Sequence, residues 1–160
     1  MKNIFENKKN FKIDRSGKSI AIFLKKNLKV NKNIIFQLIK FSKEINKDNI
    51  RICMHSSKKD KIQNMINVIY KHKLVETHKH IYKDEIYHLI MGKMRIKIYN
   101  KNKCVRNIII DKENFLLRLK KNTFHKILPI TNYVVFHEIR MGPFKKNDSI
   151  FFNRIKEKKN

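Results

Sequence analysis

The sequence predicts a mainly β, single-domain protein: an antiparallel barrel or sandwich preceded by one short helix. Three observations carry this prediction. At 160 residues the chain is long enough for one domain with a hydrophobic core and too short for two comfortable ones. From Asn49 onward, apolar residues fall in short alternating runs spaced by about ten residues and separated by turn-forming residues, as in an antiparallel barrel or sandwich. Before Asn49 the clearest period is helical instead.

Taken in order, residues 1–18 show no sustained period and are expected to form a basic, poorly ordered N-terminus. Residues 19–24 read as a short strand. Asn33 is placed to cap a helix over about 33–45, in which Ile34, Ile35, Leu38, Ile39, Phe41 and Ile45 fall mostly on one face. Strand-like runs follow at 61–70, 74–80 and 85–91, with Gly92 expected in a hairpin turn. Residues 94–98 then alternate apolar and basic side chains, as a half-buried strand does. A turn at 100–103 leads to further runs at 104–110, 115–119, 124–128 and 133–139. Gly142 and Pro143 end the last run, the domain is expected to span 19–153, and 154–160 reads as a frayed basic tail.

Composition bounds the function. Lys and Arg total 39 against 13 Asp and Glu, a net charge of +26 that by itself suggests nucleic acid or an anionic surface. Yet only seven of the 39 are Arg, the residue that makes bidentate contacts to phosphate and guanine. Lys, Asn and Ile are over-used together and spread along the whole chain, which points to an AT-rich genome rather than to a nucleic-acid partner. Cys53 and Cys104 form no C-x-x-C pair and suggest no disulfide framework, so a reducing cytoplasm is expected. The apolar run 20–24 is much too short for a membrane span. Three glycines leave no room for a phosphate-binding loop, and no Gly-x-Ser-x-Gly elbow occurs.

The chemistry concentrates in residues 76–85. His78 and His80 are two apart, so on a strand they project to the same side. Glu85 follows after a bend and can approach the same point, and His125 can close the set from a distant strand. Three imidazoles and one carboxylate suit one divalent transition ion, with Zn, Fe, Mn, Ni and Co not distinguished. Four protein ligands leave an open coordination position for metal-assisted chemistry.

His-x-His, four residues, Glu, six residues, Gly resembles the first motif of the cupin superfamily, and His125 resembles the histidine of the second. Arg51-x-x-x-His55, Asp60-Lys61-Ile62-Gln63, Asn122-Thr123-Phe124-His125 and Glu138-x-x-x-Gly142-Pro143-Phe144 together resemble the WbuC family of cupin-fold metalloproteins. The resemblance covers about residues 34–153 and implies a double-stranded β-helix, or jelly-roll, barrel. It also implies a small-molecule ligand, namely a sugar or sugar-nucleotide intermediate of bacterial surface-polysaccharide (O-antigen) metabolism, and a homodimer. Thr77 and Lys120 stand where the family has Pro, Asn122 where Gly is common, and Cys53 where Asn is common.

Within that frame Arg51 and His55 are candidates to line the barrel mouth and hold an anionic group, the alternative for Arg51 being a plain ion pair. Tyr82, Lys83, Phe124 and Phe144 are further candidates for the pocket lining. His55 is the one candidate general base, for an isomerase or epimerase. An Fe-dependent dioxygenase or a non-catalytic ligand-binding cupin would use the same metal ligands. Cys53 is expected to be buried and inert, and His72, His88 and His137 to be surface or packing residues.

Overall fold

A chain with one helical period and many alternating runs must close its strands around a shared core. The computed structural model describes residues 3–27, 29–46, 48–73, 75–101 and 103–152; Leu74 and the expected tail 154–160 lie outside them. In chain order the elements are β1 (Phe11–Asp14), β2 (Ile20–Leu24), α1 (Lys32–Glu44), β3 (Ile50–Cys53), β4 (Ile62–Tyr70), β5 (His78–His80) and β6 (Glu85–Met91). Then follow β7 (Met94–Asn100), β8 (Lys103–Ile110), β9 (Leu116–Leu119), β10 (Phe124–Pro129), β11 (Tyr133–Met141) and β12 (Ser149–Phe151).

The strands form two sheets. One has seven strands in the order β1-β2-β3-β4-β11-β6-β9, and the other five in the order β12-β5-β10-β7-β8. Every pairing is antiparallel except β2 with β3, the pair joined through α1, because parallel neighbours need a crossover long enough to return the chain. The helix buries Ile35, Leu38, Ile39 and Phe41 in a cluster with Ile22, Ile52 and Val68 on the outer face of the seven-stranded sheet. A second core, with Tyr87, Met94, Ile96, Ile127 and Phe136, draws its side chains from both sheets.

Alternation fixes what faces inward. On β6, Glu85, Tyr87 and Leu89 are buried while Ile86, His88 and Ile90 are exposed. The register then places Arg140 opposite Glu85 and Glu138 opposite Tyr87 on β11, with Gln63 and Met65 beyond them on β4.

The structure differs from the sequence reading in several places, and adds the short strands β3 and β12 that the reading did not list. Residues 3–14 are not structureless: a 3₁₀ turn at Ile4–Glu6 and strand β1 bury Phe5 and Phe11, which pack edge to face 5.1 Å apart. The helix is capped two residues earlier than expected, because the Asn31 carboxamide, not that of Asn33, accepts from the Ile34 N–H at 3.1 Å. The run at 74–80 narrows to the three residues of β5. Gly92, at φ +86°, turns the chain from the seven-stranded sheet into the five-stranded one, so β6 and β7 are not a hairpin. A Cβ at Gly92 would stand 2.7 Å from the Tyr133 carbonyl oxygen, so both the backbone angle and the space require glycine.

Candidate metal centre

The candidate ligands meet between the two sheets. β5 carries His78 and His80, β10 carries His125, and β6 brings Glu85 across from the opposite sheet. His78 and His125 are direct cross-strand partners, so their rings share one face with centroids 4.5 Å apart. One donor atom each from His78, Glu85 and His125 lies within 4.8 Å of the others. Glu85 and His125 are buried at 2% and 1% exposure, so a carboxylate and an imidazole face each other out of reach of bulk water.

Backbone carbonyls two residues upstream orient two of the rings. His78 Nδ1 lies 2.8 Å from the Glu76 oxygen and His125 Nδ1 3.0 Å from the Thr123 oxygen. A carbonyl only accepts, so each Nδ1 carries a proton, and Nε2 is the atom each ring turns to the pocket. For His125 that Nε2 faces a carboxylate oxygen, Glu85 Oε2, at 3.3 Å, with the Tyr87 hydroxyl also at 3.3 Å. A contact of that length is satisfied by positive charge, either a proton on Nε2 or a metal ion held between the two atoms. Donors held about 2.0–2.2 Å from one transition ion are themselves roughly 3–3.5 Å apart, so the donor set fits a metal.

His80 behaves differently. Its Nε2 is 3.0 Å from Glu85 Oε1 and 3.3 Å from Arg140, and its Nδ1 is 3.1 Å from the Ser149 hydroxyl. Here the imidazole donates to the carboxylate, and the structure groups only three of the four sequence-predicted ligands as mutually close donors. Ser149 can donate or accept, so it supports either His80 tautomer.

Electrostatics keep the site ready for a cation. Burial, reinforced by the neighbouring His125, pushes His78 down to about 4, so it is neutral at pH 7 as a ligand must be. Burial works to raise the Glu85 pKa, but the His80 hydrogen bond and the positive charge of His125, His80 and Arg140 outweigh it and hold the carboxylate ionised. Burial also drives the Tyr87 phenol well above its ordinary range, leaving it a hydrogen-bond donor. The depressed His78 predicts a pH dependence. Between pH 6.5 and 4 the unfolded chain takes up a proton at His78 that the folded chain refuses. Metal-free protein therefore loses stability as pH falls through that window, by at most about 3 kcal/mol from this residue. Urea midpoints in chelator at pH 7 and 4.5 measure the loss; a His78→Gln variant with the same pH profile as wild type would count against the assignment.

The other predicted residues divide. Arg51, His55 and Phe144 line one cavity, which Arg140 also borders. His55 is buried, which lowers its pKa, and Asn64 offers both its N–H and its carbonyl to Nδ1 at 3.0 Å. Lys83 is buried in an ion pair with Asp148 and a hydrogen bond to the Pro143 carbonyl, and Tyr82 is 71% exposed. Phe124 packs edge to face on Phe152 beneath the Lys79 ammonium. Asn122 takes φ +61°, the left-handed conformation for which Asn is better suited than most residues, and its N–H donates to the His80 carbonyl at 2.6 Å. Cys53 is buried, which raises its thiol to about 11.

Sequence reasoning missed Tyr87, Arg140 and Ser149. Tyr87 was accessible from its i+2 spacing to Glu85; Arg140 and Ser149 enter only through strand register.

The fold has solved counterparts. Oxalate decarboxylase of Lactobacillus farciminis, as a formate complex, matches with a TM-score of 0.50 at 18% identity, over 62% of this chain and 29% of that one. CapF with the inhibitor 3-isopropenyl-tropolone matches with a TM-score of 0.54 at 16% identity, over 66% and 31%. The capsular polysaccharide assembling protein CapF of Staphylococcus aureus matches with a TM-score of 0.50 at 19% identity, over 59% and 27%. The chain thus spans under a third of the length of each. At these identities the likeness is one of fold. No curated protein matches the sequence. Among the described residues no helix is long and apolar enough to cross a membrane. One family model matches residues 30–110, just over half of the sequence, and the chain accordingly belongs to the family described as a domain of unknown function, DUF6016.

Proposed function

We propose that the protein is a small jelly-roll cupin of WbuC type that holds one divalent transition ion and binds or converts a sugar or sugar-nucleotide intermediate of surface-polysaccharide metabolism. The observation that carries the metal reading is the pair of Nε2 atoms turned inward, because the Glu76 and Thr123 carbonyls hold each Nδ1, to share a pocket with the buried Glu85 carboxylate. His80 is the proposed fourth ligand: a proton moved to Nδ1, where the Ser149 hydroxyl accepts it, frees Nε2 on the same side. An ion bound there supplies Lewis acidity toward a carbonyl or hydroxyl oxygen.

The chain's own residues supply the rest. Arg140 keeps Glu85 charged and Tyr87 donates toward the His125 edge of the site. His55 is the proposed general base: burial favours its neutral form, and Asn64 stabilises either tautomer, so the ring can take up and release a proton without losing its anchor. The substrate class is supported by the flanking motifs around Arg51, His55 and Glu138 and by the fold shared with CapF, which is described as a capsular polysaccharide assembling protein.

Metal-loaded protein incubated with nucleotide-activated hexoses in deuterated water, followed by proton NMR, tests this reading. Binding with deuterium entering a ring carbon is expected of an isomerase or epimerase, and binding without exchange selects a non-catalytic binder. No binding to any nucleotide sugar or free sugar sinks the substrate class.

A further inference from the structure

Beside the candidate metal centre, on the same face of the seven-stranded sheet, lies a cavity of about 40 Å³. Its polar lining carries three full cations, Arg51, Lys58 and Arg140, with His55 and Gln63, against one carboxylate, Asp14, and the Ser19 hydroxyl. Two of the three full cations are matched. Lys58 pairs with Asp14 at 2.7 Å, and Arg140 with Glu138 at 3.5 Å and Glu85 at 3.8 Å. Gln63 spends its amide N–H groups on the carbonyls of Ser57 and Asp60.

Arg51 is the exception. It is half-buried on β3 between Ala21 and Asn67, and no hydrogen bond or ion pair reaches its guanidinium among the described residues. Asn67, the one polar neighbour in register, gives its amide to Glu138 instead, at 3.0 Å. A half-buried guanidinium with five unspent N–H donors is free to meet an acceptor that enters the cavity, and its planar fork matches a carboxylate or phosphate. The alternative of a plain ion pair, open in the sequence, has no partner among the described residues.

Arg140 joins this cavity to the candidate metal centre. It borders the cavity while its Nη1 lies 3.3 Å from His80 Nε2. We infer that the cavity is an oxyanion subsite, in which Arg51 grips the carboxylate or phosphate of a small molecule whose remaining polar groups extend past Arg140 toward the metal ligands. The inference deepens the function proposed above by giving the ligand an acidic group, and only its orientation toward the ligands rests on that reading.

The test is calorimetric titration of chelator-treated protein at low ionic strength with inorganic phosphate, methyl phosphate and acetate, for wild type, Arg51→Gln and Arg51→Lys. Saturable binding of one oxyanion to wild type is expected, weakened about tenfold or more in Arg51→Gln and partly kept in Arg51→Lys. Preference for phosphates over acetate, or the reverse, identifies which acidic group the ligand carries. In wild type the same anion should slow phenylglyoxal modification of Arg51 read by mass spectrometry, a measurement that needs no variant to fold. No saturable binding, or binding and protection indifferent to Arg51, overturns the inference. Anion binding that needs Arg51 in a protein that takes up no metal would fell the metal reading alone. Metal uptake with no Arg51-dependent anion binding would fell the subsite alone.

Discussion

Replacing His125 or His78 with alanine should empty the metal centre: about one ion per chain in wild type, and less than about a tenth of that in either variant. Each change removes one of three mutually close donors and opens a pocket in which Glu85 keeps its charge, so the affinity should fall by at least about 100-fold. Elemental analysis of untagged protein reads the stoichiometry. Stability gives an independent reading, since the free energy of metal binding adds to that of folding. Chelation should lower the Tm of wild type and leave that of His125→Ala where it is. His88→Ala is the control, because His88 is exposed on the outer face of β6 beside Phe115, and it should keep its metal. Undiminished metal in both ligand variants would remove the centre from consideration.

Arg140→Met should be the most destabilising single change near the site. The guanidinium lies between two buried carboxylates, Glu85 and Glu138, and although burial opposes its charge, those two neighbours hold its pKa above the ordinary value. Methionine fills the volume but leaves both acids without their cation. Breaking a buried pair in this way costs about 3–5 kcal/mol. The loss should be largest in chelator and smaller with metal, because an ion on Glu85 replaces part of the missing positive charge. Guanidinium denaturation with and without metal measures both values. Adding Glu138→Gln to Arg140→Met should recover part of the loss, a coupling that a double-mutant cycle exposes. A cost below about 1 kcal/mol in chelator would show that the network does not hold the site together.

The β architecture was legible because its signals are local. Runs of alternating residues marked β4, β6, β7, β10 and β11 to within two residues, since one buried face imposes a period of two on each strand. The same local logic put His78 and His80 on one side and made Asn122 acceptable at a left-handed turn. The missed features depend on register. Nothing in 133–141 alone announces that Arg140 stands opposite Glu85, or that Ser149 stands opposite His80; strand pairing across the chain decides both. The N-terminus was misread for a related reason. Phe5 and Phe11 are isolated apolar residues without a period, and their burial depends on Phe41 arriving from α1, 5.9 Å from the Phe5 ring. Gly92 was recognised as a turn, but a turn residue does not say whether the next strand stays in the same sheet.

The shortness of β5 bears on how fast the pocket can exchange its contents. Two of the candidate ligands ride on a three-residue strand, clamped on one side by the equally short β12 and on the other by one pairing of His78 with His125. Glu85, by contrast, belongs to a seven-residue strand hydrogen-bonded on both flanks. One wall of the pocket is thus a firm floor and the other a thin flap, whose opening needs only a few ladder bonds to break. An ion spanning the gap would stitch flap to floor, so that its departure and the loosening of that edge would be a single event, with a lifetime set by the weaker strand.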